Sequence, residues 1–376
     1  MPARDFAVIG AGIAGASAAF ELQAHGSVVL LEREPLPGHH TTGRSAAFLV
    51  HTYGNAVVRK LTRGARSFLE APPQGFASTP LVEPRPVLWI AREDQHASIG
   101  AALSTARRSG SDLHALGPAE ALEVCPVLRE DYVASAALEP GALHIDVAGL
   151  LDAFLRGFRA RGGEVATRSE VTRIDPVGGG FVVETRRGIH RVAVVVNAAG
   201  AWCDEVAKLA DVLPLGLLPL RRTAITFTPP PGADIHKWPC IIDADEEFYL
   251  KPEGGQLLAS PCDETPSPPC DATADDYEVA LAVDRVQRAT TLAFRHIQRR
   301  WAGLRTFAPD RSPVIGMDPG RPGFLWLAGQ GGFGIMTAPA AARAAASLIV
   351  HGKLPPDLTA LGLDPAHLSP ARLQRG

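Results

Sequence analysis

The sequence has few of the features that mark disulfide-rich or metal-binding proteins. Its 376 residues include only five cysteines, and no two of them form a CxxC pair. An odd number of scattered cysteines favours reduced thiols over a disulfide framework or a zinc site. We therefore expect a cytoplasmic protein without a metal centre. The cysteines are Cys125, Cys203, Cys240, Cys262 and Cys270.

The sequence also lacks an excess of charge and any long apolar run. Its 37 basic and 40 acidic residues give a net charge of -3, without a long basic stretch, which argues against nucleic acid as a partner. No apolar run approaches the roughly 18 residues that span a bilayer, and glycines interrupt the run from Phe6, so neither a transmembrane segment nor a signal peptide is expected. The length favours two domains.

Residues 6–34, FAVIGAGIAGASAAFELQAHGSVVLLERE, have the order of a dinucleotide-binding unit. A short apolar strand leads into Gly10, Gly12 and Gly15 at GxGxxG spacing. A helix-forming stretch and a second apolar strand follow, and that strand ends at Glu32. Strand, glycine loop, helix, strand and acid in this order predict a nucleotide site.

Each part of this unit has a physical role. Gly10 permits a tight turn, Gly12 lets the backbone approach a pyrophosphate, and Gly15 lets helix and strand pack closely. The helix N-terminus, with Ala14 in its first turn, directs free N–H groups at the phosphates. Glu32 would accept hydrogen bonds from ribose hydroxyls, which suits NAD or FAD and disfavours NADP. The loop alone does not decide between NAD and FAD.

Four further segments follow the opening unit along the chain. They are PGHHTTGRSAAF (37–48), VAVVVNAAGAW (192–202), WAGLRTFAPDRSPVIG (301–316) and FLWLAGQGGFGIMTAPAAA (324–342). Together with the opening unit, and in this order, they resemble the glycine/D-amino-acid oxidase (DAO) family of FAD enzymes. Within that family the chain looks most like the bacterial D-arginine dehydrogenase type, and the resemblance covers nearly the whole chain.

The resemblance implies an α/β fold in which a Rossmann-like FAD-binding domain is interleaved with an α+β substrate domain that contains a mixed or antiparallel sheet. The FAD domain would comprise residues 1–80, 145–210 and 305–376. The substrate domain would comprise 81–144 and 211–304. Within the latter, 217–228 alternates as a strand, with basic residues at Arg221 and Arg222, and 247–251 has the pattern of another strand.

FAD is the implied cofactor. Covalent attachment is not expected, because the N-terminal segment has Arg44, Ser45 and Ala46 and the C-terminal glycine loop has no cysteine; His39 and His40 nearby leave a link open. The glycine loop that opens the last helix would place N–H groups and the helix dipole against the reduced ring. The implied FAD-binding residues are Gly10, Gly12, Ala14, Gly15, Glu32, Arg33, Thr41, Thr42, Arg44, Ser45, Ala46, Val171, Ala199, Gly200, Gly331, Gly332, Gly334, Ile335 and Met336.

The resemblance further implies a substrate carboxylate held over the flavin by Tyr53, Arg222, Tyr249 and Arg305. Arginine suits this task because its planar fork meets a carboxylate with two parallel hydrogen bonds. His51 lies nearby in sequence, and we expect it to be structural.

Four departures from the arginine-type enzymes concern the substrate side chain. Phe48, Val50, Val87 and Met336 stand where those enzymes have polar or charged residues. Such a pocket could not compensate a buried guanidinium or ammonium, whose desolvation costs several kcal/mol. We therefore expect a neutral, mainly apolar side chain such as that of D-Leu, D-Met, D-Phe or D-Val, unless another acid such as Glu83 or Asp243 pairs with a cation.

The implied reaction is oxidative deamination. Hydride passes from Cα of the neutral amine to flavin N5, and the imine hydrolyses to a 2-oxo acid and ammonia. The electron acceptor would be dioxygen, a quinone or a dye. Three alternatives stay open: oxidation of N-methyl or cyclic amino acids such as sarcosine or proline, an NAD-dependent dehydrogenase, and a flavin-binding protein without catalysis.

Overall fold

A computed structural model of the chain describes residues 4–374, which form twenty strands and ten α-helices. The strands are β1 (Arg4–Ile9), β2 (Val28–Leu31), β3 (Phe48–Leu49), β4 (Val82–Pro84), β5 (Val87–Ala91), β6 (His114–Leu116), β7 (Ser135–Glu139), β8 (Leu143–Ile145), β9 (Glu164–Ala166), β10 (Val171–Val177), β11 (Gly180–Thr185), β12 (Gly188–Asn197), β13 (Leu218–Phe227), β14 (Cys240–Asp243), β15 (Tyr249–Glu253), β16 (Gln256–Ser260), β17 (Thr265–Pro266), β18 (Ile297–Phe307), β19 (Val314–Met317) and β20 (Phe324–Ala328). The helices are α1 (Ile13–Leu22), α2 (Ala56–Glu70), α3 (His96–Ser109), α4 (Pro118–Val124), α5 (Val147–Ala160), α6 (Cys203–Leu209), α7 (Asp276–Ala289), α8 (Gly334–His351), α9 (Pro356–Ala360) and α10 (Pro365–Leu368).

The first sheet has the order β10-β11-β12-β1-β2-β9, and β20 and β19 extend it beside β12. Its centre is parallel: β1 runs parallel to both β12 and β2. All four residues of β2, VVLL, are buried, as expected for a parallel strand covered on both faces. Helices α1, α2, α5 and α8 cover one face, and α6 lies on the other. This is the predicted Rossmann-like half.

Close backbone packing fixes the loop between β1 and α1. Gly10 has φ +98°, and a Cβ there would lie 2.5 Å from the carbonyl oxygen of Ala198. A Cβ on Gly15 would run into the carbonyl oxygen of Gly10. The two glycines therefore let the loop, the helix and the end of β12 approach one another, which is the packing that the motif predicts.

The second sheet is mixed. Its order is β17-β13-β16-β15-β14-β5-β7-β6, and β18 pairs with β13. Neighbours are antiparallel except β14 and β5, which are parallel. Helix α7 packs on one face and α3 on the other. Strands β13 and β15 confirm the strands expected at 217–228 and 247–251, with shifts of one or two residues.

Loop residues of the nucleotide-binding half pair with the free edge of β18. The carbonyl of Ala302 accepts from Arg44 Nη1 at 2.9 Å, that of Leu304 from Thr41 Oγ1 at 2.7 Å, and that of Thr306 from the Gly331 amide at 2.8 Å. These three residues alternate along the strand, so their carbonyls point to the same edge. Side chains and backbone from the nucleotide-binding half thus take the place of a further strand.

The α/β fold class with two interleaved parts is confirmed, whereas the domain bounds remain a prediction. The boundary between 304 and 305 falls inside β18. A small third sheet, β3-β8-β4, joins segments from both sides of the boundaries near 80 and 145. Within residues 4–374, no helix is long and apolar enough to cross a membrane.

The Gly10 packing generates a prediction about nucleotide binding. We expect Gly10→Ala to raise the dissociation constant for FAD at least about tenfold, because the new Cβ clashes with Ala198 and the backbone is strained. Fluorescence titration of apoprotein with FAD measures this constant. Gly75→Ala is the matched control: its φ is +79°, yet no described atom lies within 4 Å of the added Cβ. Equal FAD affinity in the two variants would contradict the role of Gly10.

Candidate active site

Three connected cavities lie where the two sheets meet. The strand-end cavity lies at the carboxyl ends of β1 and β2. The central cavity shares Gly12, Thr41, Thr42, Ala198 and Gly200 with it. The inner cavity lies beyond, and shares Tyr249, Arg305 and Gly332 with the central cavity. Because they share lining residues in series, the three cavities form one elongated space.

The strand-end cavity has the features of a nucleoside site. Glu32 lines it, with Oε2 accepting from the Ala11 amide and Oε1 from the Glu34 amide, both at 2.8 Å. These bonds orient the carboxylate and leave lone pairs for ribose hydroxyls. The Arg33 guanidinium lies 4.9 Å from the centroid of the Trp202 ring, which provides a flat wall.

The N-terminus of α1 faces the junction between the strand-end and central cavities. Thr42 Oγ1 accepts from the Ile13 amide at 3.0 Å, so the segment 41–46 is fixed to the first turn of the helix. A Cβ on Gly12 would lie 3.1 Å from the same oxygen. Helix dipole and close backbone approach together suit a pyrophosphate.

Two polar groups in the central cavity support the fit of a flavin ring. Gln330 Nε2 and Thr306 Oγ1 line this cavity and are buried, and neither has a hydrogen-bond partner among the described residues. Buried polar atoms are rarely left unpaired, so these groups are placed for a polar ligand. The first turn of α8, with Gly334 and Ile335, lines the same cavity and directs a positive dipole end at it.

The paired strands β13 and β18 place two arginines over the central cavity. Arg222 pairs with Gly303 across the sheet, and Arg305 lies two residues further along β18, so all three point to one face. Gly303 lines the same cavity, and a Cβ on it would lie 3.4 Å from Cβ of Arg44, so the 41–46 segment packs closely on this strand.

The two arginines differ in what they already bind. Arg222 is only 8% exposed; its Nε donates to the Asp263 carbonyl at 2.8 Å, and its Nη2 lies 3.4 Å from Glu264 Oε1. Arg305 donates weakly to Tyr53 Oη at 3.5 Å and has no ion pair with any carboxylate of residues 4–374. A partly buried cation without a counter-ion is costly unless a ligand supplies the anion.

Two tyrosine hydroxyls flank Arg305. Tyr53 and Tyr249 both line the inner cavity, and Tyr249 also lines the central one. Burial, with a contribution from the nearby Glu246, raises the pKa of Tyr53 to about 12. Burial also raises the pKa of Tyr249. Both phenols therefore stay protonated near neutral pH and can donate to an anion.

The inner cavity is small and mainly apolar. Phe48, Val50 and Met336 line it, with Ile242 beside them. Val87 does not. It is fully buried and packs in the core behind the cavity, and its strand partner Cys240 provides the wall instead.

Sequence reasoning missed five residues of the inner cavity: Ala47, Cys240, Ile242, Glu246 and Cys262. Burial raises the pKa of Cys240 to about 12 and that of Cys262 to about 11, so both thiols form neutral walls. Glu246 is exposed at the mouth, where its Oε2 accepts from Tyr53 Oη at 3.2 Å. No local pattern indicated these positions.

The remaining FAD-binding predictions are placed as follows. Met336 lines only the inner cavity, and Gly15 packs beneath the loop without lining any of the three. The Arg44 guanidinium turns away to the Ala272 and Ala302 carbonyls and to Asp271. Arg33, Val171 and Ala199 line the strand-end cavity, and Ser45, Ala46, Ala14, Gly331, Gly332, Gly334 and Ile335 line the central cavity. His51 lies outside all three and contacts Arg66.

Comparison with known proteins agrees with this geometry. The chain is 25% identical over 372 residues to mitochondrial sarcosine dehydrogenase of Mus musculus, covering 93% of this chain but 40% of that protein. It is 23% identical to glycine oxidase of Geobacillus kaustophilus, covering 96% of each. The chain thus spans about two fifths of sarcosine dehydrogenase and nearly all of glycine oxidase.

Solved structures show the same fold. L-proline dehydrogenase from P. horikoshii superposes with a TM-score of 0.87 at 22% identity, covering 100% of this chain and 99% of that one. Glycine oxidase from Geobacillus kaustophilus gives the same TM-score and identity, with 100% of both chains covered.

A family assignment follows from the match over most of the chain. Residues 5–348 match the family described as "DAO: FAD dependent oxidoreductase". The cavities, the glycine loop and the family match agree on FAD as the cofactor. The chain belongs to the DAO family of FAD-dependent oxidoreductases.

Proposed function

We propose that this protein oxidises a D-amino acid with a neutral, mainly apolar side chain to the 2-oxo acid and ammonia. The observation that carries the proposal is Arg305, a cation at the junction of the central and inner cavities without a carboxylate partner among residues 4–374. A substrate carboxylate bound there would supply the negative charge that Arg305 lacks. The α-carbon of that substrate would then face the central cavity, where the flavin ring is expected.

The carboxylate would bind to Arg305 and the two tyrosine hydroxyls. Arg305 offers a planar fork, and Tyr53 and Tyr249 add single O–H donors. Each charge-assisted hydrogen bond is worth about 1.5–3 kcal/mol when well placed. Arg222, held by Asp263 and Glu264, contributes positive potential with less freedom to move.

The inner cavity supports a short, uncharged side chain. Its volume is about 70 Å³, half the 140 Å³ of the central cavity. Behind Phe48 lies Lys251, whose Nζ is 4.6 Å from the ring centroid and is paired with Glu253. The deep end of the inner cavity therefore offers a cationic side chain no free carboxylate among residues 4–374, and of the described lining residues only Glu246 at the mouth could pair with one.

FAD would be held by the strand-end and central cavities, and when bound it supplies the acceptor for the hydride that leaves Cα. The chain's own contribution is positioning. Arg305 and the tyrosines fix the carboxylate, and the apolar walls exclude water. The thiols and phenols that line the inner cavity stay protonated, so the substrate amine must arrive neutral without help from a strong base of the cavity walls.

A second candidate is oxidation of an N-methyl or cyclic amino acid. The names of sarcosine dehydrogenase and L-proline dehydrogenase among the similar proteins favour it, and the small inner cavity suits it equally. The carboxylate clamp, formed by Arg305, Tyr53 and Tyr249, would serve either class. The D configuration, the D-arginine dehydrogenase subtype and the acceptor (dioxygen, a quinone or a dye) are parts of this proposal that rest on resemblance.

Loss of Arg305 should weaken substrate binding more than loss of Arg222. We expect Arg305→Met to raise KM at least about a hundredfold, because two charge-assisted bonds are lost. Arg222→Met should have a smaller effect, since that guanidinium is already partnered. Steady-state kinetics measure both. The control is Arg299→Met, an exposed arginine on the same strand. An Arg305 variant that matches this control would refute the clamp.

The raised pKa of Tyr53 predicts an unusual pH dependence. The phenol donates to a carboxylate only while protonated, so its contribution persists below the ordinary pKa of about 10 and is lost as pH rises through about 12. The dissociation constant of 4-methylpentanoate, a leucine analogue without the amine, should stay level from about pH 8 to pH 10.5. Perturbation of the flavin spectrum measures it.

Tyr53→Phe provides the comparison for that pH profile. It should bind the analogue about tenfold more weakly and with the same level profile. A wild-type constant that rises between about pH 9.5 and 10.5 and meets the Phe variant there would show an ordinary tyrosine pKa instead.

A substrate scan separates the two candidate functions. Anaerobic flavin reduction by D-Leu should exceed that by D-Arg, measured as kcat/KM, because the inner cavity cannot neutralise a guanidinium. Sarcosine and proline are scanned beside both enantiomers of leucine, and formaldehyde release identifies N-demethylation. Glu246→Gln is run in parallel: a D-Arg preference that this variant abolishes would show that the mouth carboxylate, and not the apolar interior, sets specificity.

A further inference from the structure

A cluster of histidine and carboxylate groups lies at the rim of the strand-end cavity. One donor atom from each of Glu34, His39 and His40 lies within 4.8 Å of the other two. Glu34 Oε1 and His40 Nε2 are 3.0 Å apart. Glu34 and His40 are half-buried and His39 is exposed, so the cluster is open to ions from solvent.

The loop that carries the cluster is held firmly. Gly38 turns the chain with φ +73°, its amide donates to the Ala11 carbonyl at 3.1 Å, and its carbonyl accepts from the Gly43 amide at 2.8 Å. The three donor groups therefore converge from a short, fixed segment. Such pre-organisation lowers the entropic cost of closing around a ligand.

A fourth group comes from the other half of the molecule. Asp271 Oδ2 lies 3.6 Å from His39 Nε2, and its Oδ1 lies 3.8 Å from His40 Nδ1. His40 Nδ1 is buried and has no hydrogen bond within the described part of the chain. Histidines that bind a metal through one nitrogen commonly give the other N–H to a carboxylate, and Asp271 is placed for that role.

We propose that Glu34, His39 and His40 bind a divalent transition-metal ion of the zinc class, with Asp271 as outer partner or fourth ligand. Two imidazoles with a carboxylate suit zinc, copper or nickel and not magnesium or calcium. Neighbouring ligands of a tetrahedral zinc lie about 3.3 Å apart, so the donors need to draw together by up to about 1.5 Å. The exposed His39 side chain has room for that movement.

Neighbouring cations set the expected affinity. Arg33 Nε lies 3.4 Å from Glu34 Oε1, and Arg44 is paired with Asp271. These arginines share the carboxylates with the metal and reduce the local negative charge. We therefore expect a dissociation constant on the order of micromolar, far weaker than a structural zinc centre of the finger type.

The site would join two parts of the fold. His39 and His40 line the strand-end cavity, where the nucleotide half of FAD is expected, and Asp271 belongs to the segment before α7. A bound ion would link the loop after β2 to that segment at the cavity rim. This site lies apart from Arg305 and the inner cavity, so it does not belong to the proposed substrate clamp.

Equilibrium dialysis of the FAD-loaded protein against Zn²⁺, with bound metal measured by mass spectrometry, tests the site. We expect about one zinc per chain, and a loss of affinity of at least tenfold in His39→Ala and in Glu34→Gln. His114→Ala is the matched control, because His114 is an exposed histidine 2.8 Å from Asp112. Flavin absorbance and far-UV circular dichroism of each variant report cofactor retention and folding.

The measured zinc affinities either support the site or overturn it. Saturable zinc binding that both cluster variants weaken and His114→Ala does not supports the site. Absence of saturable binding, binding unchanged in Glu34→Gln, or equal competition by Mg²⁺ would overturn it. If His39→Ala loses its flavin, the conservative Glu34→Gln variant decides alone.

Discussion

The free edge of β18 is the contact on which the rest of the active-site geometry depends. Three alternate carbonyls, of Ala302, Leu304 and Thr306, accept hydrogen bonds from Arg44, Thr41 and the Gly331 amide. Unpaired, these groups would be costly where the two halves meet. The donors come from the two glycine-rich segments that line the central cavity. The strand that joins the halves therefore also presents Arg305 to that cavity, and hydrogen bonds to the backbone of β18 fix its position relative to the central cavity.

This arrangement separates holding the cofactor from selecting the substrate. Glycines and alanines line the space for FAD, because the backbone must approach the ligand closely. The substrate side is built from larger side chains on different strands. Arg222 is fixed by Asp263 and Glu264, so it supplies steady potential, whereas Arg305 lacks a described carboxylate partner and is available to an anion. In the function we propose, the carboxyl group common to all amino acids would be met at the junction, and the distinguishing group would enter the inner cavity.

The sequence predicted the parts that depend on local constraints. The spacing of Gly10, Gly15 and Glu32 predicts the βαβ unit, because each of these residues meets a structural constraint within that one unit. The strand at 217–228 followed from alternation. Cys240, Glu246 and Cys262 were missed, since strand pairings and loops distant in sequence bring them together. Val87 was assigned to the pocket by resemblance, but it is buried in the core, and its neighbour on β14, Cys240, lines the inner cavity.

Under the proposed function, the chemistry of the walls would let one clamp serve several amine substrates. Burial keeps the Tyr53 phenol and the Cys240 and Cys262 thiols protonated, so the cavity offers hydrogen bonds and apolar surface but no strong base. A primary, N-methylated or cyclic amine with a carboxylate could be positioned by the same three donors. Discrimination must then come from the volume bounded by Phe48, Val50 and Met336 and from the charge of Glu246 at the mouth. Because apolar walls separate similar substituents by only about 1–3 kcal/mol per methylene, substitutions there should shift preference gradually, whereas charge at the mouth acts on cationic substrates alone.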